Sequence, residues 1–129
     1  MSVCTKKGTI VADNQKRIPA LFYQSESGKQ PVRDWLMKLE VADRKTIGID
    51  IKTVEFGWPI GMPTCRAMGK GLYEVRSSLA SGRIARVLFC IHNNQMVLLH
   101  GFIKKSQKTP KQALDLALDR KSKVEEASS

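Results

Sequence analysis

The feature that most constrains the fold is a series of apolar segments separated by short polar turns in the second half of the chain. The segments span residues 72–78, 83–91 and 95–103. Ser81-Gly82 separates the first two and Asn93-Asn94 the last two, and such pairs are typical of tight hairpin turns. Strands joined by turns this short pair with their neighbours in antiparallel fashion. The sequence therefore predicts an antiparallel meander of about three to four strands.

Apolar residues at helical spacing occur in the sequence both before and after this meander. A short helix starts at Pro31 and buries Val32, Trp35, Leu36 and Leu39, and a second, capped by Asp43, buries Ile47, Ile51 and Val54 and stops at Gly57. Within the second helix, Gly48 is interpreted as a point of close helix packing. A strand over residues 18–23 precedes these helices, and a last helix covers residues 110–123. This order predicts a small single α+β domain with its helices against one sheet face.

The domain is expected to span residues 18–124, between a flexible basic arm (1–17) and a short tail (125–129). A length of 129 residues is enough for one hydrophobic core. No apolar run is long enough to cross a membrane or to act as a signal peptide, so we expect a cytoplasmic protein that does not bind membranes. Three scattered cysteines and two histidines make a poor ligand set, so neither a metal nor a cofactor is expected.

Positive charge is concentrated in one segment of the chain. The net charge is +10, and residues 61–111 contribute nine basic side chains against a single acid, Glu74. A field concentrated in this way favours a polyanionic partner, and nucleic acid is the first candidate. The segment ends in Lys104, Lys105, Lys108 and Lys111, beside a predicted helix start with Thr109 as N-cap and Pro110 at the first position. Cations beside a helix N-terminus are well suited to bind phosphate.

Arg86 stands inside an apolar strand, where a buried guanidinium needs a carboxylate or an anionic ligand. Glu74 is the acid available in this segment, and alternation places Arg76 on its face of the strand. A structural ion pair of Glu74 with Arg86, or with Arg76, is therefore the alternative to a ligand-binding role for either arginine.

These motifs resemble the RelE/ParE toxin superfamily, and most closely its HigB-like, phage-derived branch. The resemblance covers roughly residues 20–124. It rests on Gly71-Leu72-x-Glu74-x-Arg76, on Arg86-Val87-Leu88-Phe89 and on Gly101-Phe102-x-Lys104-Lys105-x-x-Lys108-Thr109-Pro110. It implies a RelE-like fold and a toxin of a type II toxin–antitoxin module. Many RelE-like members cleave mRNA in the ribosomal A site without a metal, and an antitoxin, often a helix-turn-helix protein, neutralises them and represses the shared operon. The implied partners are an antitoxin, the ribosome with its mRNA and, through the antitoxin, operator DNA.

The resemblance also implies roles for individual residues. The catalytic candidates are Lys70, Arg76, Arg86 and Lys104. Basic residues expected to contact RNA or the ribosome are Arg66, Arg83, Lys105, Lys108 and Lys111.

The chain departs from the better-known pattern because no histidine or tyrosine follows His100. A lysine of lowered pKa is therefore considered as the general base, with His100 as the alternative, although its apolar strand favours a core role. A second function also stays open, that of a toxin-like binding module without nuclease activity, such as a ParE-like gyrase inhibitor or an inactive phage remnant.

Overall fold

The computed structural model describes residues 15–127. Residues 1–14, most of the predicted arm, and residues 128–129 lie outside this part. The elements in chain order are β1 (Ala20–Phe22), α1 (Pro31–Met37), α2 (Val41–Gly57), β2 (Cys65–Gly69), β3 (Leu72–Ser78), β4 (Ile84–His92), β5 (Gln95–Lys104) and α3 (Lys111–Ala127). The α+β class is confirmed.

One five-stranded sheet has the order β1-β5-β4-β3-β2. Strands β2 to β5 form the predicted antiparallel meander, while β1 runs parallel to β5. At the β4–β5 turn, Asn93 and Asn94 both have positive φ, as a two-residue hairpin of the type I′ class requires. Strand β2 was not located from the sequence. Its middle residues, Arg66 and Ala67, are exposed at the sheet edge, so it lacks the apolar alternation that marked its neighbours.

Helices cover both faces of the sheet, so the expectation of helices on one face was wrong. On β4, Ala85, Val87 and Phe89 pack in the core beneath α1 and α2. Leu88 and Cys90, at the intervening positions, pack in a second core with Ala113 and Ala117 of α3. A strand that is apolar at consecutive positions needs cover on both sides. The result is three layers, with the sheet in the middle.

Helix α2 begins before the predicted cap. It starts at Val41 with Glu40 at the N-cap position, and Asp43 lies in its first turn, where its carboxylate binds Arg83 instead of capping. The interpretation of Gly48 as a packing point was also wrong, because a Cβ built there meets no atom within 4 Å. The close approach is at Gly101 on β5, where a Cβ would lie 2.4 Å from the Trp35 ring.

Helix α3 begins at Lys111, one residue later than expected. The backbone carbonyl of Pro110 accepts hydrogen bonds from the N–H groups of Ala113 and Leu114 at 3.1 and 3.2 Å. The hydroxyl of Thr109 donates to Glu74. At its other end α3 continues to Ala127 and takes in part of the predicted tail. Among the described residues, no helix has the length and apolar character needed to cross a membrane.

Candidate phosphate-binding site

Three neighbouring strands bring charged side chains together on the face that α3 covers. In the strand register, Arg66 of β2 lies opposite Glu74 of β3, and Arg76 of β3 lies opposite Arg86 of β4. Residues two apart on a strand share a face, so all four side chains lie on one side of the sheet. The segment between β5 and α3 crosses over them. We call Arg66, Glu74, Arg76, Arg86 and Thr109 the Glu74 cluster.

Glu74 is fully buried at the centre of this cluster. Its Oε1 accepts a hydrogen bond from Arg76 Nη1 at 3.1 Å. Its Oε2 accepts a hydrogen bond from the Thr109 hydroxyl and lies 4.0 Å from Arg86 Nε. Both ion pairs considered from the sequence are therefore present. A single carboxylate orients two arginines and ties the start of α3 to β3.

Arg86 is fully buried beneath the segment between β5 and α3. Its Nη2 donates to the backbone carbonyl of Ser106, and its guanidinium lies 5.8 Å from the centre of the Phe102 ring. Within the described residues, Nε and Nη1 have no hydrogen-bond partner. Burial, together with the positive charges of Arg76 and Arg66, lowers the pKa of Arg86 against the opposing effect of Glu74.

Of Arg76 and Arg86, it is Arg76 that reaches the surface, with 11% of its side chain exposed. Besides Glu74 it binds Gln107, whose side-chain oxygen accepts from Nη2 at 2.8 Å. Glu74 thus holds the guanidinium through Nη1, and the Gln107 amide occupies Nη2. Gln107 was not singled out from the sequence, because its role depends on how an irregular loop folds back on the sheet.

Two cavities adjoin Gln107. One, of about 540 Å³, is lined by Arg76 and Gln107 and, on its other walls, by residues that include Asp50, Thr64 and Ser78. The other, of about 400 Å³, is lined by Arg66, Met68, Gln107, Lys108 and Thr109. The surface over the Glu74 cluster is therefore concave and mainly cationic.

Three further lysines lie between the end of β5 and the start of α3. Lys104 ends β5 opposite Ile84, and strand alternation puts it on the same face as Phe102 and Arg86. Lys105 is exposed in the loop that follows. Lys111 is exposed at the start of α3 and forms an ion pair with Asp115 at 2.9 Å.

Lys70 and Arg83 lie apart from the cluster. Lys70 occupies the β2–β3 turn, with φ of 54°, six strand residues or about 20 Å from Arg76. Arg83 lies on the side of α2, where it binds both carboxylate oxygens of Asp43 at 2.8 and 3.1 Å and the carbonyl of Ala80 through Nε. That hydrogen-bonded pair lowers the pKa of Asp43.

His100 is half-buried on β5 and stacks on Phe102 with 5.6 Å between ring centres. Burial and then the nearby charge of Arg120 lower its pKa from 6.5. The imidazole is therefore neutral at pH 7. It faces α3, whereas Arg76 lies two strands away on β3.

The arrangement has the chemistry needed to bind an anion. It offers fixed guanidinium groups and lysines around one buried carboxylate, and cations placed in this way stabilise phosphate in both ground and transition states. Within residues 15–127, no three histidine, cysteine or acidic side chains converge in a way that could hold a metal ion.

A comparison with curated proteins found no match to this chain. A comparison with protein families did. Residues 34–122 match the family described as phage derived protein Gp49-like (DUF891), a stretch that takes in every residue of the Glu74 cluster and Gln107. The chain therefore belongs to the phage-derived Gp49-like family, a RelE/ParE-like toxin family of toxin–antitoxin modules.

Proposed function

We propose that the protein is a HigB-like toxin that cleaves mRNA on the ribosome. The observation that carries the proposal is the guanidinium of Arg76, which Glu74 holds beside a cavity and close to Arg66 and Arg86 on the same face of the sheet. In the reaction, a 2′-hydroxyl attacks the adjacent phosphorus. The new bond joins the 2′-oxygen to phosphorus, the bond to the 5′-oxygen breaks, and a cyclic phosphate and a free 5′-hydroxyl result.

Each residue has a role in this proposal. Arg76 binds the scissile phosphate and stabilises the charge that develops on it. Lys104 lies at the end of β5 and is better fixed than Lys105 and Lys108 in the loop that follows. It acts in proton transfer or binds phosphate, and His100 is the alternative base. Arg66, Lys105, Lys108 and Lys111 contact RNA or the ribosome, and Lys70 binds RNA away from the scissile bond. A cognate antitoxin, of the helix-turn-helix class, covers this surface in the neutralised complex.

The test is single-turnover cleavage of mRNA on a programmed ribosome, without antitoxin. Arg76→Ala and Lys104→Ala should each slow cleavage on the order of a hundredfold or more. Lys52→Ala, which removes the same charge at an exposed position of α2, is the matched control and should cut at the wild-type rate. Full activity in both folded variants would refute the site, and cleavage abolished by EDTA with ribosomes kept intact would refute the metal-free mechanism.

A binding toxin without nuclease activity is the second candidate, favoured by the complete burial of Arg86. An arginine that no substrate can reach contributes to structure and not to bond breaking. Growth arrest with intact mRNA on the ribosome, and inhibited gyrase, would support this candidate. Normal growth on strong induction of folded wild-type protein would argue against both.

A further inference from the structure

The loop between β5 and α3 places oxygen acceptors on both central arginines. The Ser106 backbone carbonyl accepts from Arg86 Nη2, and the Gln107 side-chain oxygen accepts from Arg76 Nη2 at 2.8 Å. The two arginines are cross-strand partners in the sheet. Two consecutive loop residues thus each present an oxygen to one of two adjacent guanidinium groups, and only the acceptor on Arg76 lies at the surface.

Gln107 also separates the two cavities. Its side chain contributes to the lining of the cavity on the Arg76 side and to that on the Arg66 side. The residue is exposed and lies outside regular secondary structure. The Gln107 side chain is therefore free of packing that would oppose its rotation away from Arg76.

We infer that Gln107 is an internal competitor for the phosphate site, occupying in the free protein the position on Arg76 that an RNA phosphate takes when it binds. This inference rests on the phosphate-binding role of Arg76 in the proposed function. A phosphate displaces the amide because its charged oxygens can accept two parallel hydrogen bonds from one guanidinium, whereas the neutral amide accepts one.

The competitor model predicts opposite effects for two substitutions at one position. Gln107→Leu removes the acceptor and frees Nη2 of Arg76, so it should tighten phosphate binding. Gln107→Glu keeps the contact and adds a negative charge that phosphate cannot easily displace, so it should weaken binding. If Gln107 instead served to position Arg76, Gln107→Leu would weaken binding.

The experiment measures the affinity of the full chain for a short 2′-deoxy oligonucleotide, which carries phosphates but cannot be cleaved by 2′-hydroxyl attack. Gln107→Leu should bind about three- to tenfold more tightly than wild type, the range expected for release of one hydrogen bond. Gln107→Glu should bind more weakly than Gln112→Glu, a control with the same charge change at an exposed position of α3. Gln112→Leu should match wild type.

A double substitution links the effect to the arginine. In an Arg76→Ala background, Gln107→Leu should no longer tighten binding, and thermal melting confirms that each variant is folded. Gln107→Ala serves as a second acceptor-free variant and should behave as Gln107→Leu does. Unchanged or weaker binding in these two folded variants would overturn the inference.

The outcome is separable from that of the proposed function. A protein that shows the opposite effects of Leu and Glu at position 107 but leaves ribosomal mRNA intact supports the internal competitor and refutes the nuclease. A protein that cleaves mRNA but binds the oligonucleotide equally well in all Gln107 variants supports the nuclease and refutes the competitor.

Discussion

At the scale of single residues, Glu74 links stability to the site. It is fully buried and contacts Arg76, Arg86 and Thr109. Removing one partner of a buried charge pair is far more costly than removing a surface charge, because the remaining charge stays desolvated. Arg86 has no route to solvent that would compensate for the loss.

Glu74→Ala should therefore lower the free energy of unfolding by about 3–5 kcal/mol. Glu26→Ala, at an exposed position, is the matched control and should change it by less than about 0.5 kcal/mol. Urea denaturation at neutral pH measures both. A loss below about 1 kcal/mol in the Glu74 variant would mean that Arg86 is not held as a charged group by this carboxylate.

His100 should make folding sensitive to acid. Its pKa in the folded chain lies below the unfolded value of 6.5, so as the pH falls through 6.5 the unfolded chain takes up the proton first. The destabilisation caused by protonation of His100 begins below pH 6.5 and is complete below the pKa of His100 in the folded chain. His100→Gln should lose less stability than wild type over that window, whereas above it the difference between the two proteins should stay constant. Parallel curves of unfolding free energy against pH would contradict this expectation.

At the scale of elements, two glycines allow a direct test of packing. Gly48 lies in α2 with open space where a Cβ would project, whereas a Cβ at Gly101 of β5 would overlap the Trp35 ring of α1. Gly48→Ala should stabilise the protein by about 1 kcal/mol through helix propensity. Gly101→Ala should destabilise it by about 1–3 kcal/mol, because α1 must shift away from the sheet. Thermal melting of the two variants should therefore move in opposite directions.

Elements could be predicted from the sequence where the apolar pattern was regular. Strands β3, β4 and β5 alternate or run apolar, and their turns carry Ser-Gly and Asn-Asn pairs, so the meander was readable. Edge strand β2 carries exposed Arg66 and Ala67 and offered no such signal. The prediction of helices on one sheet face was wrong because β4 is apolar on both faces, and such a strand needs a covering layer on each side.

Only the part of the site that lies on regular strands could be predicted from the sequence. Glu74, Arg76 and Arg86 could be grouped because strand alternation and a shortage of acids pointed to them. Gln107 contacts Arg76 across 31 positions of sequence, through an irregular loop that no periodicity describes. Lys70 was predicted to belong to the site because it lies next to a strand motif in the sequence. In the structure it lies apart from the Glu74 cluster.

At the scale of the whole molecule, most of the excess positive charge is concentrated around one surface. Residues 61–111 hold most of the net charge of +10, and they supply the strands and the loop around the Glu74 cluster. An acidic or amphipathic antitoxin segment is the natural complement to this surface. The surface also predicts how the complex responds to salt.

The complex with the cognate antitoxin should weaken steadily as salt rises. Lys108→Glu, beside the Arg66 cavity, should weaken it more than Lys52→Glu on the exposed side of α2, which carries the same charge change. Titration calorimetry at several salt concentrations measures both. A complex insensitive to salt and to Lys108→Glu would place the antitoxin elsewhere.

The hydrogen bond from Thr109 to Glu74 joins residues 35 positions apart and makes the site depend on the order of synthesis. The meander can pair as it leaves the ribosome, but the carboxylate keeps its final surroundings only after α3 has been made and has docked on the sheet. A nascent chain therefore carries the arginines without the finished site. If the protein cleaves mRNA as proposed, it does so only after its last described helix has been synthesised.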